Sequence, residues 1–179
     1  MADLQTRHTA ALSGAELREI RRLMADAYGA TFTDADWDHT LGGLHLMVLE
    51  QGDLVGHVSV VQRRLLWGDR SLRTGYVEAL AVRSDRRRRG YAEVAMSEAE
   101  RVIDRGYDLG ALSDGTGIDG FYQKRGWLTW AGPTFVVSPE GIRWTPDDDG
   151  GVLVRTTPAS PALDLSAPLG CDWRTGDVW

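Results

Sequence analysis

Cysteine is nearly absent from this chain of 179 residues: Cys171 stands alone, which excludes an internal disulfide and any cysteine-built metal cluster. No histidine neighbours Cys171 in sequence, so a packed thiol is expected there rather than a nucleophile. Long apolar runs are also missing. No stretch approaches the roughly 18 consecutive apolar residues of a membrane span, and Met1-Ala2-Asp3-Leu4-Gln5 lacks the basic-then-apolar pattern of a secretory leader. A cytoplasmic protein with no membrane partner is expected. His8, His39, His45 and His57 show no metal-ligand spacing, so no metal is expected either. Positive charge is in deficit: 20 basic residues stand against 26 acidic ones, a net charge of −6. That balance argues against nucleic acid or an anionic membrane as partner and favours a small cationic molecule.

What is present is 42% hydrophobic and 26% charged, enough apolar side chain for one core, and a single domain over residues 1–179 is expected. Residues 12–28 predict a helix, with Ser13 as N-cap, Glu16 three residues on, and Leu17, Ile20, Leu23, Met24 and Ala27 at helical spacing up to Gly29. Thr33 or Asp34 caps a short acidic helix or turn before Gly42-Gly43. Residues 44–49, 54–63 and 72–82 are apolar, β-branched runs separated by good turn sequences, which predicts an antiparallel meander. After Gly90, the residues Ala92, Ala95, Met96, Ala99, Val102 and Ile103 form one helical stripe closed at Gly106. Residues 107–113 predict a strand, 118–125 a short helix closed by Gly126, and 127–137 and 152–156 terminal strands joined by a loop. The order implies an α/β or α+β fold, a mixed and mostly antiparallel sheet flanked by helices.

The most informative stretch is Gly75-Tyr76-Val77-Glu78-Ala79-Leu80-Ala81-Val82-Arg83-Ser84-Asp85-Arg86-Arg87-Arg88-Arg89-Gly90-Tyr91-Ala92, an apolar strand that runs through four arginines into a helix. The first turn of a helix leaves backbone N–H groups unpaired, glycine permits close approach, and the positive end of the helix attracts phosphate. By themselves the arginines read also as a solvated face or a nucleic-acid patch.

Arg87-x-x-Gly90-x-Ala92, following Val77-Glu78-Ala79-Leu80-Ala81-Val82, resembles the acetyl-CoA signature of the GNAT superfamily of N-acetyltransferases, and the element order matches that fold along most of the chain. The resemblance implies acetyl-CoA (coenzyme A) as cofactor, its diphosphate at Arg87, Arg88, Arg89, Gly90, Tyr91 and Ala92, and its pantetheine beside Leu80, Ala81 and Val82. Gly120-Phe121-Tyr122-Gln123-Lys124-Arg125-Gly126-Trp127 resembles a later family segment whose tyrosine faces the thioester sulfur, which implies that Tyr122 protonates the departing thiolate. Apart from the resemblance, Tyr122 reads as a core tyrosine with a satisfied hydroxyl.

Further segments, residues 36–43, 58–64, 109–113, 145–150 and 171–179, together resemble the aminoglycoside 2′-N-acetyltransferases over nearly the whole chain. That implies acetylation of the 2′-amine of aminoglycoside antibiotics, hence resistance, and a homodimer. It also implies substrate contacts at Asp36, Glu78, Ala79, Ser113, Asp147, Asp148, Asp177 and Trp179. A polycationic substrate suits such carboxylates, because charge-assisted hydrogen bonds are the strong ones. Duller readings stand beside these: Asp36 as a turn residue, Asp147 to Asp149 as a solvated turn, Trp179 as a frayed end.

Glu78 is the candidate base. Alternation places it mid-strand on the face opposite Val77 and Ala79, an expensive position for a carboxylate unless it has a task or an ion-pair partner such as Arg83 or Arg73. Attack on a thioester needs a neutral amine, and Glu78 could take its proton, directly or through water. One departure from the family is Thr31, where some relatives bear an acid. Two alternatives stay open: a transferase of the same fold acting on a cell-wall amino sugar or polyamine, and a non-catalytic acyl-CoA-binding module.

Overall fold

A serine and a glutamate three residues apart open the first long helix, α1 (Gly14–Tyr28). Ser13 accepts the Glu16 amide, and the Glu16 carboxylate returns to the Ser13 amide at 2.7 Å. The same box recurs at α2 (Asp34–His39), where Thr33 and Asp36 exchange the equivalent bonds. Both caps were legible in the sequence; the first helix begins at Gly14 rather than at Leu12, behind a single turn over Thr9–Ala11.

The computed structural model describes residues 2–114 and 120–179. They divide into two units, Met1–Val61 with Val77–Arg101, and Gln62–Tyr76 with Val102–Trp179. In the first unit β1 (Asp3–His8) pairs antiparallel with β2 (Leu44–Glu50), β2 pairs antiparallel with β3 (Asp53–Trp67), and β3 neighbours β4 (Arg70–Val82). The buried stripe of α1, Ile20, Leu23 and Met24, packs with Leu12, Met47, Leu54 and Ala81. After Gly90, α3 (Tyr91–Gly106) buries Ala95, Met96, Ala99 and Ile103, the expected stripe, with Ala92 and Val102 at its half-buried edges. β1 was not expected: its sequence DLQTRH is mostly polar, as suits an outer strand, and carries no apolar alternation.

In the second unit β5 (Leu109–Ser113) pairs parallel with β4 and antiparallel with β9 (Val152–Thr156), which also takes β6 (Leu128–Thr129). On the other side β10 (Leu169–Asp172) pairs antiparallel with β3 and parallel with β7 (Thr134–Ser138), and β8 (Gly141–Trp144) closes that edge as a hairpin with β7. The sheet is thus mixed and mostly antiparallel, as expected. The single strand expected over 127–137 is instead two. The Trp130 amide still bonds Val152, but the amides of Ala131 and Gly132 turn to Leu165, and Pro133 has no amide to give, so β6 and β7 join different neighbours. β8 falls in what was expected to be a loop. Of the helix expected over 118–125, Ile118 and Asp119 lie outside the described residues, and the rest forms one tight turn, Gln123–Arg125, closed by Gly126 at φ 88°. Among the described residues no helix is long and apolar enough to cross a membrane.

Candidate active site

In the first unit, β4 is bent at Ala79, which sits in the left-handed region at φ 52°. An alanine there is strained by about 1–2 kcal/mol, so its surroundings must hold it. Three successive carbonyls show how. Glu78 O accepts from Ser59 Oγ at 3.3 Å, Ala79 O from His57 Nδ1 at 3.1 Å, and Leu80 O from Tyr28 Oη at 2.5 Å. The bend also ends the alternation expected here: Glu78, Ala79 and Leu80 are all half-buried. The Glu78 carboxylate lies close enough to Tyr28 to act on its phenol, which burial first and Glu78 second push up to about 12. Of the two arginines considered as partners for Glu78, Arg83 bonds Asp85 at 2.7 Å and lies 3.9 Å from Asp53, while Arg73 bonds Asp108 at 3.2 Å.

Beyond β4 the chain makes one tight turn, Ser84–Arg86, anchored by Arg86 Nε to Glu50 at 2.8 Å and Arg86 Nη1 to Asp85 at 2.7 Å. Tyr91 donates its hydroxyl to the other Glu50 oxygen at 2.5 Å, and these two bonds, the tyrosine's first, hold the Glu50 carboxyl below its usual range. Arg87, Arg88 and Arg89 remain exposed. Arg88 at φ 60° and Gly90 at φ 82° swing the backbone into α3, whose first intrahelical bond is Val94 N–H to Gly90 O. The amides of Tyr91, Ala92 and Glu93 therefore precede the ladder, and a Cβ on Gly90 would meet nothing within 4 Å. An open, arginine-flanked helix start fits a diphosphate. Since the Tyr91 side chain braces Glu50, what this residue offers an anion is its amide.

In the second unit, Tyr122 is buried, its ring edge-on to Phe121 and Trp127 at 5.0 and 6.1 Å between centroids. Ser113 ends β5, exposed. The acidic turn is not uniform. Asp149 accepts the amide and the hydroxyl of Thr134 at 2.8 and 2.9 Å, a structural task, whereas Asp147 is exposed. Asp148 is half-buried, and its carboxyl is pushed up by burial first and by the Asp177 charge second. Asp177 accepts the Trp179 amide at 3.1 Å, and Arg174 bonds the backbone oxygens of Asp177 and Trp179 at 2.8 and 2.7 Å. Trp179 is 2% exposed and its indole donates to Thr145 at 2.9 Å, so it is docked rather than frayed. Cys171 is fully buried, and burial pushes its thiol up to about 11.

Asp36, in the first unit, uses one carboxylate oxygen in the cap of α2, and the Thr31 hydroxyl closes onto Tyr28 O at 2.8 Å. The residues that the sequence reading missed are Tyr28, Ser59, His57 and Glu50. One signal was available: His45, His57 and Ser59 lie inside runs of buried strand, where a polar side chain must find a partner.

The Acetyltransferase (GNAT) family model matches residues 15–127. An aminoglycoside 2′-N-acetyltransferase of Mycolicibacterium fortuitum is 47% identical over 174 residues, covering 96% of this chain and 89% of that protein. Among solved structures, Escherichia coli ElaA superposes with a TM-score of 0.62 at 17% identity over 87% of this chain and 99% of its own. The Escherichia coli GNAT family N-acetyltransferase YhbS, solved in complex with CoA, gives 0.62 at 15% identity over 95% and 89%. At such identities the two structures speak for a shared fold.

Proposed function

Since the chain belongs to the GNAT family of acetyltransferases and, within it, to the aminoglycoside 2′-N-acetyltransferases, we propose that it moves the acetyl group of acetyl-CoA to the 2′-amine of an aminoglycoside, conferring resistance. The observation that carries this reading is the 47% identity over 96% of the chain, loops included. The open start of α3 and the bend in β4 support it, because they supply unpaired amides for a diphosphate and an irregular strand edge for a pantetheine arm.

In this reading Arg87 to Ala92 hold the diphosphate, and Leu80, Ala81 and Val82 line the pantetheine. Glu78 takes the proton of the incoming ammonium, directly or through water, and Tyr122 returns a proton to the departing thiolate sulfur. Acetyl-CoA supplies the acetyl group as a thioester, already activated for attack by an amine. Asp148 and Asp177 hold ammonium groups of the substrate, with Asp36, Ala79, Ser113, Asp147 and Trp179 as further contacts. Transfer is direct. Cys171 is buried and its thiol, pushed up to about 11, stays protonated near neutrality, which disfavours an acyl-cysteine. A cytoplasmic homodimer completes the proposal and rests on family resemblance.

The test is thiol release from acetyl-CoA in the presence of aminoglycosides with and without a 2′-amine. Release only with the 2′-amino compounds is expected. Equal release with both, or none with either, would refute the assignment.

A further inference from the structure

Donor and acceptor counting along the bend in β4 fixes the state of two buried histidines. The Ala79 carbonyl can only accept, so His57 Nδ1 carries a hydrogen and donates to it at 3.1 Å. The lone pair of a neutral His57 is then on Nε2, and His45 Nδ1 must donate to it, at 3.0 Å. His45 Nε2 in turn accepts, and the Thr9 hydroxyl donates to it at 2.8 Å. The Thr9 hydroxyl oxygen accepts the Gly42 amide at 3.0 Å; it also lies 3.2 Å from the Gly43 carbonyl, but its one hydrogen goes to the nearer His45 Nε2, which has only a lone pair to offer, and the Gly43 carbonyl takes the Thr9 amide at 3.0 Å. Both imidazoles are fully buried, and burial pushes them down to about 4 for His45 and about 3 for His57, which keeps both neutral. The chain of bonds ends on a carbonyl, which has no proton to pass on. It is a brace, not a relay.

We propose that His57, its tautomer locked by His45 and Thr9, is a positioning residue that holds the left-handed bend at Ala79 and thereby the course of β4 from Glu78 to Leu80. The inference rests on the reading of this segment as the one that meets acetyl-CoA and carries the base. Ser59 and Tyr28 hold the carbonyls on either side, but only the middle one belongs to the strained residue.

Two measurements test it. Nitrogen NMR of the imidazoles in the wild-type protein at neutral pH should find both histidines protonated on Nδ1 and bare on Nε2. The second compares His57→Leu, which removes the donor, with His57→Asn, whose amide nitrogen can stand where Nδ1 stood. His57→Leu should weaken acetyl-CoA binding by calorimetry and lower kcat/KM by on the order of 10- to 100-fold, the scale expected from a misplacement of about 1 Å. His57→Asn, although it packs less well and should melt lower than His57→Leu, should recover most of that loss. This inverted order of stability and activity separates positioning from mere structural support. An Nε2–H tautomer on either histidine, or wild-type acetyl-CoA binding and kcat in His57→Leu, would overturn the proposal. Wild-type protein that does not bind acetyl-CoA would sink the functional reading instead, and the tautomers would still decide the brace.

Discussion

Along β4 the carbonyls of residues 78–80 accept from the neutral side chains of Ser59, His57 and Tyr28, whereas near the chain's end two carboxylates, Asp148 and Asp177, lie close enough to act on each other. The first arrangement gains by being satisfied. Each donor fills a half-buried backbone acceptor, and the three together hold the strained residue Ala79 between them. The second gains by being unfinished, since half-buried Asp148 lies near Asp177 and a bound cation would relieve their repulsion. On the proposed assignment, the part that would meet the cofactor has its backbone acceptors filled from within the chain, and the part that would meet a polycation keeps two carboxylates near each other.

Ways to break or sharpen that contrast run from large effects to small. Tyr122→Phe should lower kcat by about 10²- to 10⁴-fold, the usual worth of a general acid, with acetyl-CoA affinity little changed. Steady-state kinetics with calorimetry checks it, and an unchanged rate returns Tyr122 to the core.

Acid should attack the histidine-braced part first. His45 and His57 have folded-state values near 4 and 3, below the 6.5 of a solvated histidine. Below about 6.5 the unfolded chain binds protons that the native state refuses, so their contribution is complete above that pH and is lost as pH falls toward 4. Two such groups lower the unfolding free energy by up to about 2.7 kcal/mol per pH unit in that window. Urea titrations at several pH values should show this slope, and His57→Asn should make it shallower.

Asp148→Asn tests the other part. Loss of one charge-assisted bond should raise the aminoglycoside KM by about 10- to 100-fold and leave acetyl-CoA KM alone. Cys171→Ala is expected to do least: a modest drop in melting temperature for the lost buried sulfur, with most turnover retained. A folded but inactive variant would contradict direct transfer.

The sequence displayed what is local. The capping box of α1, a cap at the start of α2, the stripe of α3 and the arginine loop before Gly90 could be read because each is written within a turn or two of chain. β1, β8 and β10 could not, since they are short or polar and exist through partners far away in sequence. The break between β6 and β7 depends on which distant carbonyl each amide meets. The bend at Ala79 was hidden most deeply, because a left-handed alanine has no sequence mark as a glycine does. His45 and His57 were read only as residues without metal-ligand spacing, and their task appears once β2 and β3 place them in line.

The most direct test of the central claim is the position of the acetyl group in the product. Incubation with acetyl-CoA and a 2′-amino aminoglycoside, followed by NMR of the purified product, should show a single acetyl group on the 2′-nitrogen. Acetylation at another amine, or an unmodified antibiotic, would contradict the account.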